Sequence, residues 1–476
     1  MPQNQKQTEI EFFKSALAKD WVDIPCREIL SWINQQNSIT KTVIAQIPLE
    51  KMKLWRFEEL TGNIVHESGK FFSIEGINVE TNWGLVQSWD QPIINQPEIG
   101  FLGILSKKIK GILHFLMQAK IEPGNINVVQ ISPTLQATKS NYTRVHKGRT
   151  PLFLEYFNGQ KKVEILLDQL QSEQGSRFLR KRNRNIIIEV YENENLNIPE
   201  NFIWLTLGQI KQLIRYDNIV NMDTRTVISA IPYGSYDANT LRYFAAINYA
   251  NSIDSHLLNS ILNHELHLYS IDQIISWITD LKSKYLLKVS NIPLKDVAKW
   301  NYNGLSIIHE QNKYFEVIGT NIEIGNREII SWDQPMIKPI QEGIIAFIVK
   351  PINGVYHFLV QAKIEAGNLD IFELAPTVQC LTGNYRIGQS EYNVPFIAEV
   401  TNAAKTNVWY SAMQSEEGGR FYKEQNLNMI IEATDDFPVE VPENYCWMTL
   451  NQILLFIKFN NYFNIAARSL IAAVTF

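Results

Sequence analysis

The sequence predicts an α+β protein built as a tandem duplication of one module, and three observations carry that reading. First, Ser88-Trp89-Asp90-Gln91-Pro92 recurs as Ser331-Trp332-Asp333-Gln334-Pro335, and HFLMQAKIEPGN from His114 returns as HFLVQAKIEAGN from His357. ISPTLQ from Ile131 matches LAPTVQ from Leu374, QSEQGSRF from Gln171 matches QSEEGGRF from Gln414, and PENFIWLTLGQI from Pro199 matches PENYCWMTLNQI from Pro442, all at one offset of 243 residues. Second, a 476-residue chain is too long for a single hydrophobic core, and a repeat of this length is a folded domain, since solenoid units run about 20–50 residues. Third, strand-like runs cluster in the middle of each copy and helical patterns flank them, the α+β arrangement.

In chain order, MPQNQKQTEIEFFKSALAKD has the spacing of an amphipathic helix, and EILSWINQQ near Glu28 has its counterpart in QIISWITDL near Gln273. Trp55 and Trp300 stand 245 apart, which implies a short indel in a loop. FFSIEGINVE, the segments that lead into SWDQP, GILHFLMQAKIE and NINVVQIS read as strand-like runs, with Trp-Asp-Gln-Pro itself as a loop. A helix candidate ends at QSEQGSRF, NIIIEV is a strand, and TLGQIKQLIRYDN is a closing helix. The modules span 1–235 and 255–476, with the junction near Pro232-Tyr-Gly-Ser-Tyr-Asp.

A net charge of −5 argues against a whole-protein field that attracts nucleic acid or an anionic membrane. Three cysteines, Cys26, Cys380 and Cys446, are an odd number and read as reduced thiols. No apolar run approaches the ~18 residues that span a bilayer. These features predict a cytoplasmic protein.

The most informative segment is Gly111–Glu122. At a period of two, Phe115, Met117, Ala119 and Ile121 share one face, and His114, Gln118, Lys120 and Glu122 share the other. The second copy repeats the polar face with His357, Gln361, Lys363 and Glu365. Such a face is either a lining for a polar ligand or a solvated surface whose charges pair laterally. SWDQP is either a structural turn, with Asp capping and Trp packing, or a stacking platform with an acid. The hydroxyl- and base-rich stretch from Ser132 to His146 suits phosphate and sugar contacts. Dinucleotide, Walker A, Gly-x-Ser-x-Gly and zinc spacings are absent.

Together, SWDQP, HFLMQAKIEPGN, SPTLQATKSNYTRVHKG and QSEQGSRF in a duplicated chain of this size resemble the NDP-hexose 2,3-dehydratases, over nearly the whole length. The resemblance implies removal of water across C2–C3 of dTDP-4-keto-6-deoxyglucose in deoxysugar biosynthesis. It implies a separate NADPH-dependent ketoreductase for the product, a Nudix-hydrolase topology for each module, and a homodimer. The Nudix metal signature is missing, because QSEQG and QSEEG, placed where an acidic helix would remain, carry too few carboxylates. A non-catalytic nucleotide-sugar binding protein and a nucleotide-sugar pyrophosphatase are the alternative readings.

Elimination beside a 4-keto group needs a base at C3–H, a donor at the C4 oxygen and an acid at the C2 hydroxyl, and in principle no metal or redox cofactor. Glu122, Asp90, Tyr142 and His146 are the acid–base candidates. Lys120, Lys139, Arg144 and Arg177 suit the diphosphate, Trp89 can stack, and Gln118, Asn141, Ser132 and Thr134 can bond base or sugar. Trp332, Gln361, Lys363, Glu365, Asn384, Tyr385, Arg386 and Arg420 are the counterparts for a second pocket. Ser132, Lys139, Arg144, His146, Lys147 and Arg149 become Ala375, Thr382, Ile387, Gln389, Ser390 and Tyr392 in the second copy. The expectation is therefore that both modules bind a nucleotide sugar and only the first is equipped for elimination.

Overall fold

The computed structural model describes residues 3–19, 25–138, 150–236, 254–325, 331–382 and 394–475. Each copy builds a seven-stranded mixed sheet. In the first, the order is Glu164–Ser172, Arg182–Glu189, Gly100–Ile109, Ile112–Ile121 and Phe202–Thr206. Val129–Ser132 lies on Ile112–Ile121, and Leu135–Ala137 lies on Gly100–Ile109. Among the described strands of this sheet, only Arg182–Glu189 and Gly100–Ile109 run parallel. The second copy repeats this order with Val408–Ser415, Gln425–Glu432, Gly343–Ile352, Val355–Lys363 and Tyr445–Thr449. The fold is thus α+β, with mixed sheets and a twofold repeat.

The predicted faces of Ile112–Ile121 are present. Phe115, Met117, Ala119 and Ile121 enter the main core, while Leu116 points to a second cluster on the other side. Main-core residues come from both copies, Phe115 and Met117 alongside Phe358 and Val360. The two copies therefore bury their apolar faces against shared material, and neither has a main core of its own.

The two remaining sheets, of five strands each, are antiparallel and exchange a strand between copies. Thr42–Ile47 of the first copy pairs along its whole length with Phe315–Ile324 of the second. Reciprocally, Leu287–Ile292 pairs with Ser73–Thr81. SWDQP, expected as a loop, lies at the start of strands Ser88–Asn95 and Ser331–Pro339, which pair with those same two strands. Its aspartates hold the segment arriving from the other copy. Asp90 accepts from the Asn78 amide at 2.7 Å and the Ala298 backbone N–H at 3.0 Å, and Trp300 Nε1 donates to the Asp90 carbonyl. Asp333 accepts from Asn321 at 2.7 Å and Lys53 N at 2.6 Å, and its carbonyl receives Trp55 Nε1. We expect Asp333→Ala, which removes the acceptor of two part-buried hydrogen bonds, from Lys53 N–H and the Asn321 amide, to destabilise the fold by about 1–3 kcal/mol. A chemical-denaturation midpoint equal to the parent's would overturn this role.

The helix expected to end at QSEQGSRF is absent. Leu166, Leu167 and Leu170 fit a helical spacing, but Glu164–Ser172 is a strand paired with Arg182–Glu189, and a tight turn follows. Ladder pairing overrides the local period here. The closing helix is shorter than its pattern, Leu207–Leu213, and Thr206 with Gln209 forms its capping box. A further helix, Met222–Ser229, capped by Asn221, was not anticipated. The expected junction runs into 237–253, outside the described residues. Among the described residues no helix is long and apolar enough to cross a membrane.

Candidate functional site

Strand Ile112–Ile121 delivers Glu122 to a turn, Pro123-Gly124-Asn125, that docks on the second copy. Gly124 N–H donates to the Gly418 carbonyl at 2.7 Å, and Lys423 N–H donates to the Gly124 carbonyl at 2.8 Å. The mirror contact joins Gly367 to Gly175 at 2.6 Å, with Arg180 N–H donating to the Gly367 carbonyl. The two QSE loops meet through Phe178 and Phe421, whose rings pack edge to face with centroids 5.6 Å apart. Each polar strand face is therefore completed by the loop of the opposite copy. Two composite clusters of polar side chains result, the candidate pockets around Glu122 and around Glu365.

In the Glu122 pocket, Gln136 Nε2 donates to Glu122 Oε1 at 2.6 Å, and Lys120 Nζ stands 3.9 Å from the same oxygen. Asn221 caps the helix that follows by accepting from Thr224 N, and its amide donates to Ser132 Oγ at 2.9 Å and Gln136 Oε1 at 3.4 Å. Two positions on, Asp223 is buried. Burial, then Glu122, Glu173 and Glu417, push its carboxyl well above the usual carboxylate range, against Lys120.

From the second copy come Glu417 and Arg420. Burial pushes Glu417 up to about 8 against the opposing Arg420, with Glu122 and Glu173 raising it further. A methyl group on Gly419 would meet Glu417 Oε1 and stand 3.7 Å from Glu122 Oε1, so this glycine lies between the two acids. Asp223 Oδ1 and Glu417 Oε2 are buried with no hydrogen-bond partner among the described residues. Such orphaned acceptors are rare in folded interiors, and these two belong to acids that interact with each other at the candidate site. Arg420 lies over the Phe72 ring at 4.1 Å and donates to Gln96 Oε1.

The Glu365 pocket keeps the frame, lacks counterparts of Asp223 and Glu417, and has Glu373, a carboxyl that burial raises to about 7 and that accepts from Ser172 Oγ at 2.7 Å. Gln379 donates to Glu365 at 3.1 Å, Lys363 Nζ to the Gln379 carbonyl at 3.3 Å, and Asn464 to Gln379 at 2.8 Å. Burial raises Glu365 against the opposing Lys363 and Arg177. At the positions of Asp223, Glu417 and Ser132 stand Ala466, Gln174 and Ala375.

Several expected site residues find other partners. Asp90 has both carboxylate oxygens engaged in the strand exchange, so its acceptor capacity is used by the fold. Trp89 packs beside Ile77, Val79, Ile93 and Ala366 and donates to Gln91. Trp332 packs on the main core and donates to Gln334. Those two glutamines in turn hold the loop carbonyls of Ser176 and Gly419. Thr134 bridges Leu105 N–H and the Leu116 carbonyl. His114 and His357 bond the carbonyls two residues before them, and burial lowers both, His357 to about 4.

Gln118 pairs in register with Ser132 and Phe202, and Gln361 bonds Tyr445. Arg177 accompanies Glu365 and lies over Phe315 at 4.3 Å, while Arg420 accompanies Glu122, an exchange of partners relative to a self-contained module. Lys139, Asn141, Tyr142, Arg144 and His146, with Asn384, Tyr385 and Arg386, lie outside the described residues.

Asn221, Asp223 and Glu417 were not anticipated. The signal for the two acids was present: at the repeat offset Asp223 faces Ala466 and Glu417 faces Gln174, the same one-sided loss seen between 132 and 149.

A family model described as NDP-hexose 2,3-dehydratase matches residues 26–231 and 271–474, one match in each copy. The chain is 45% identical to a dTDP-4-dehydro-6-deoxy-alpha-D-glucopyranose 2,3-dehydratase of Saccharopolyspora spinosa, over 97% of this chain and 94% of that protein. A protein of the same name from Amycolatopsis orientalis is 39% identical over 97% and 92%, and one from Streptomyces violaceoruber is 38% identical over 93% and 96%. With both repeats matched and relatives aligned end to end, the chain belongs to the NDP-hexose 2,3-dehydratase family.

Proposed function

We propose that this chain dehydrates dTDP-4-keto-6-deoxyglucose across C2–C3, as a hydro-lyase, in the pocket around Glu122. The observation that carries the reading is the set of three acids, buried Glu122 and Asp223 with half-buried Glu417, beside Lys120 and Arg420. Two of the three have no counterpart in the other pocket. Elimination requires one group that accepts the C3 proton and another that gives a proton to the departing C2 hydroxyl. Glu122, oriented by Gln136 and Lys120, is assigned the first task. Asp223 and Glu417, whose surroundings keep them protonated, supply the second.

The C3–H electrons form the enolate across C3–C4, and its collapse restores the C4 carbonyl, places the double bond at C2–C3 and expels the C2 oxygen as water. The product is a 3-hydroxy-2-ene that tautomerises to a 3,4-diketone. Lys120 and Arg420 are suited to the diphosphate or the enolate oxygen. The Glu365 pocket, with cations but a single acid of the set, is assigned to binding without turnover.

The same reading includes a Nudix-like topology for each repeat, repeat modules at 1–235 and 255–476 that fold around one shared core, a cytoplasmic homodimer, and a separate NADPH-dependent ketoreductase acting on the diketone. Incubation with dTDP-4-keto-6-deoxyglucose, with and without chelator, tests the reaction. The expected result is loss of one water by mass. Release of dTMP would identify a pyrophosphatase instead, and unchanged substrate that still protects the protein against melting would identify a binding protein.

A further inference from the structure

We propose that Arg225 is a positioning residue for the dehydration, clamping together the elements of the two copies that carry the acids; this rests on the assignment of the reaction to the Glu122 pocket. Arg225 is fully buried in the helix whose first turn holds Asp223. Its guanidinium donates to the carbonyl of Ser415, two residues before Glu417, and to the hydroxyl of Ser469. Its Nε reaches the carbonyl of Asn221 at 3.4 Å, the residue whose amide holds Gln136 and, through it, Glu122. Ser415 Oγ meanwhile donates to Gln130 Oε1 on the strand beside Lys120, and Thr224 Oγ1 to the Ile131 carbonyl. One planar fork thus fixes the distance between the Asp223 helix and the Glu417 loop, which belong to different copies. Lysine, a single rotating point charge, cannot reproduce that geometry.

The mirror residue supplies the contrast. Arg468 is equally buried and donates to the Ser172 and Phe463 carbonyls and, at 2.8 Å, to Thr226 Oγ1. The loop it holds carries Gln174 where the other carries Glu417, and its own helix carries Ala466 where the other carries Asp223. A clamp of purely structural value would make the two arginines equivalent, whereas a clamp for the chemistry makes only Arg225 matter for turnover.

The test compares Arg225→Met, Arg225→Lys, Arg468→Met and Arg468→Lys in the full chain, by melting temperature and by the pH profile of turnover with dTDP-4-keto-6-deoxyglucose. Displacing a reacting group by about 1 Å costs roughly a hundredfold, so Arg225→Met is expected to lose at least about tenfold in kcat, with KM changed less than about threefold. Removing the cation beside Asp223 raises the proton affinity of its neighbours, so the profile moves to higher pH. Arg225→Lys keeps the charge, so its profile stays in place while kcat still falls. It also serves if the methionine variant does not fold. The Arg468 variants are expected to lose as much melting temperature and to keep kcat within about threefold. Parallel losses of kcat at both arginines without a profile shift, or parent-like kcat in Arg225→Lys and Arg225→Met, would overturn the proposal. Full activity in Asp223→Asn and Glu417→Gln would instead sink the site assignment on which it rests.

Discussion

Glu122→Gln is expected to lower kcat by about 10²–10⁴-fold, whereas Glu365→Gln leaves it within about threefold. The two residues occupy equivalent positions, accept from equivalent glutamines and stand beside equivalent lysines. A difference between them therefore reports what only the first pocket has, Asp223 and Glu417 together with Ser132 and the basic residues from Lys139 to Arg149 that the second copy lacks. Lys120→Ala and Lys363→Ala should divide in the same direction. The pH dependence sharpens the test. Burial holds Glu417 up to about 8, so it keeps its proton at neutral pH and loses it as the pH rises through that value. If it serves as the acid, activity falls on the alkaline side near pH 8, and Glu417→Gln removes that limb along with most of the turnover. Stopped-assay turnover with circular dichroism as a folding control reads all of these. Equal losses in Glu122→Gln and Glu365→Gln would mean that both pockets react, and a loss confined to Glu365→Gln would invert the assignment.

Gly124→Ala should unfold or severely weaken the molecule. A Cβ at Gly124 would stand 1.6 Å from the Phe421 carbonyl oxygen and 2.8 Å from that of Gly418. Both obstacles are backbone of the opposite copy, held by the Gly124–Gly418 and Lys423–Gly124 hydrogen bonds, so neither can yield as a flexible side-chain end would. The turn must retreat, breaking those bonds and opening the Glu122 pocket. A cost on the order of 3 kcal/mol follows from forced repacking and lost hydrogen bonds together. Gly367→Ala meets the Phe178 carbonyl at 1.7 Å and should behave alike. Gly325→Ala, whose Cβ would find Lys41 at no less than 3.7 Å, is the control. Denaturant midpoints separate the cases, and a Gly124→Ala protein as stable as Gly325→Ala would show that the two copies do not meet so closely.

Much of this protein was legible before any coordinates. Repeated anchors at one offset establish the duplication, because equivalence between copies needs no knowledge of the fold. Alternation along Gly111–Glu122 placed Lys120 and Glu122 on one face, since the strand period depends on the chain alone. Where reading failed, the cause was non-local. SWDQP looked like a turn because Pro and Asp favour turns, yet its strand is set by pairing with Ser73–Thr81 and its aspartate by a segment more than 200 residues away. QSEQGSRF looked like a helix end because leucine spacing is ambiguous until a strand partner is chosen.

By itself, then, the sequence determined the twofold repeat, the central strands, the family and the asymmetry between the copies. Only the tertiary structure decided which halves belong together. An offset of 243 says that Glu417 is equivalent to Gln174, but nothing in it says whether Glu122 faces one or the other. That choice is made by exchanged strands, by glycines close enough for backbone to touch backbone, and by a buried arginine reaching across the repeat. All of these are contacts between distant parts of the chain, which a local pattern does not encode.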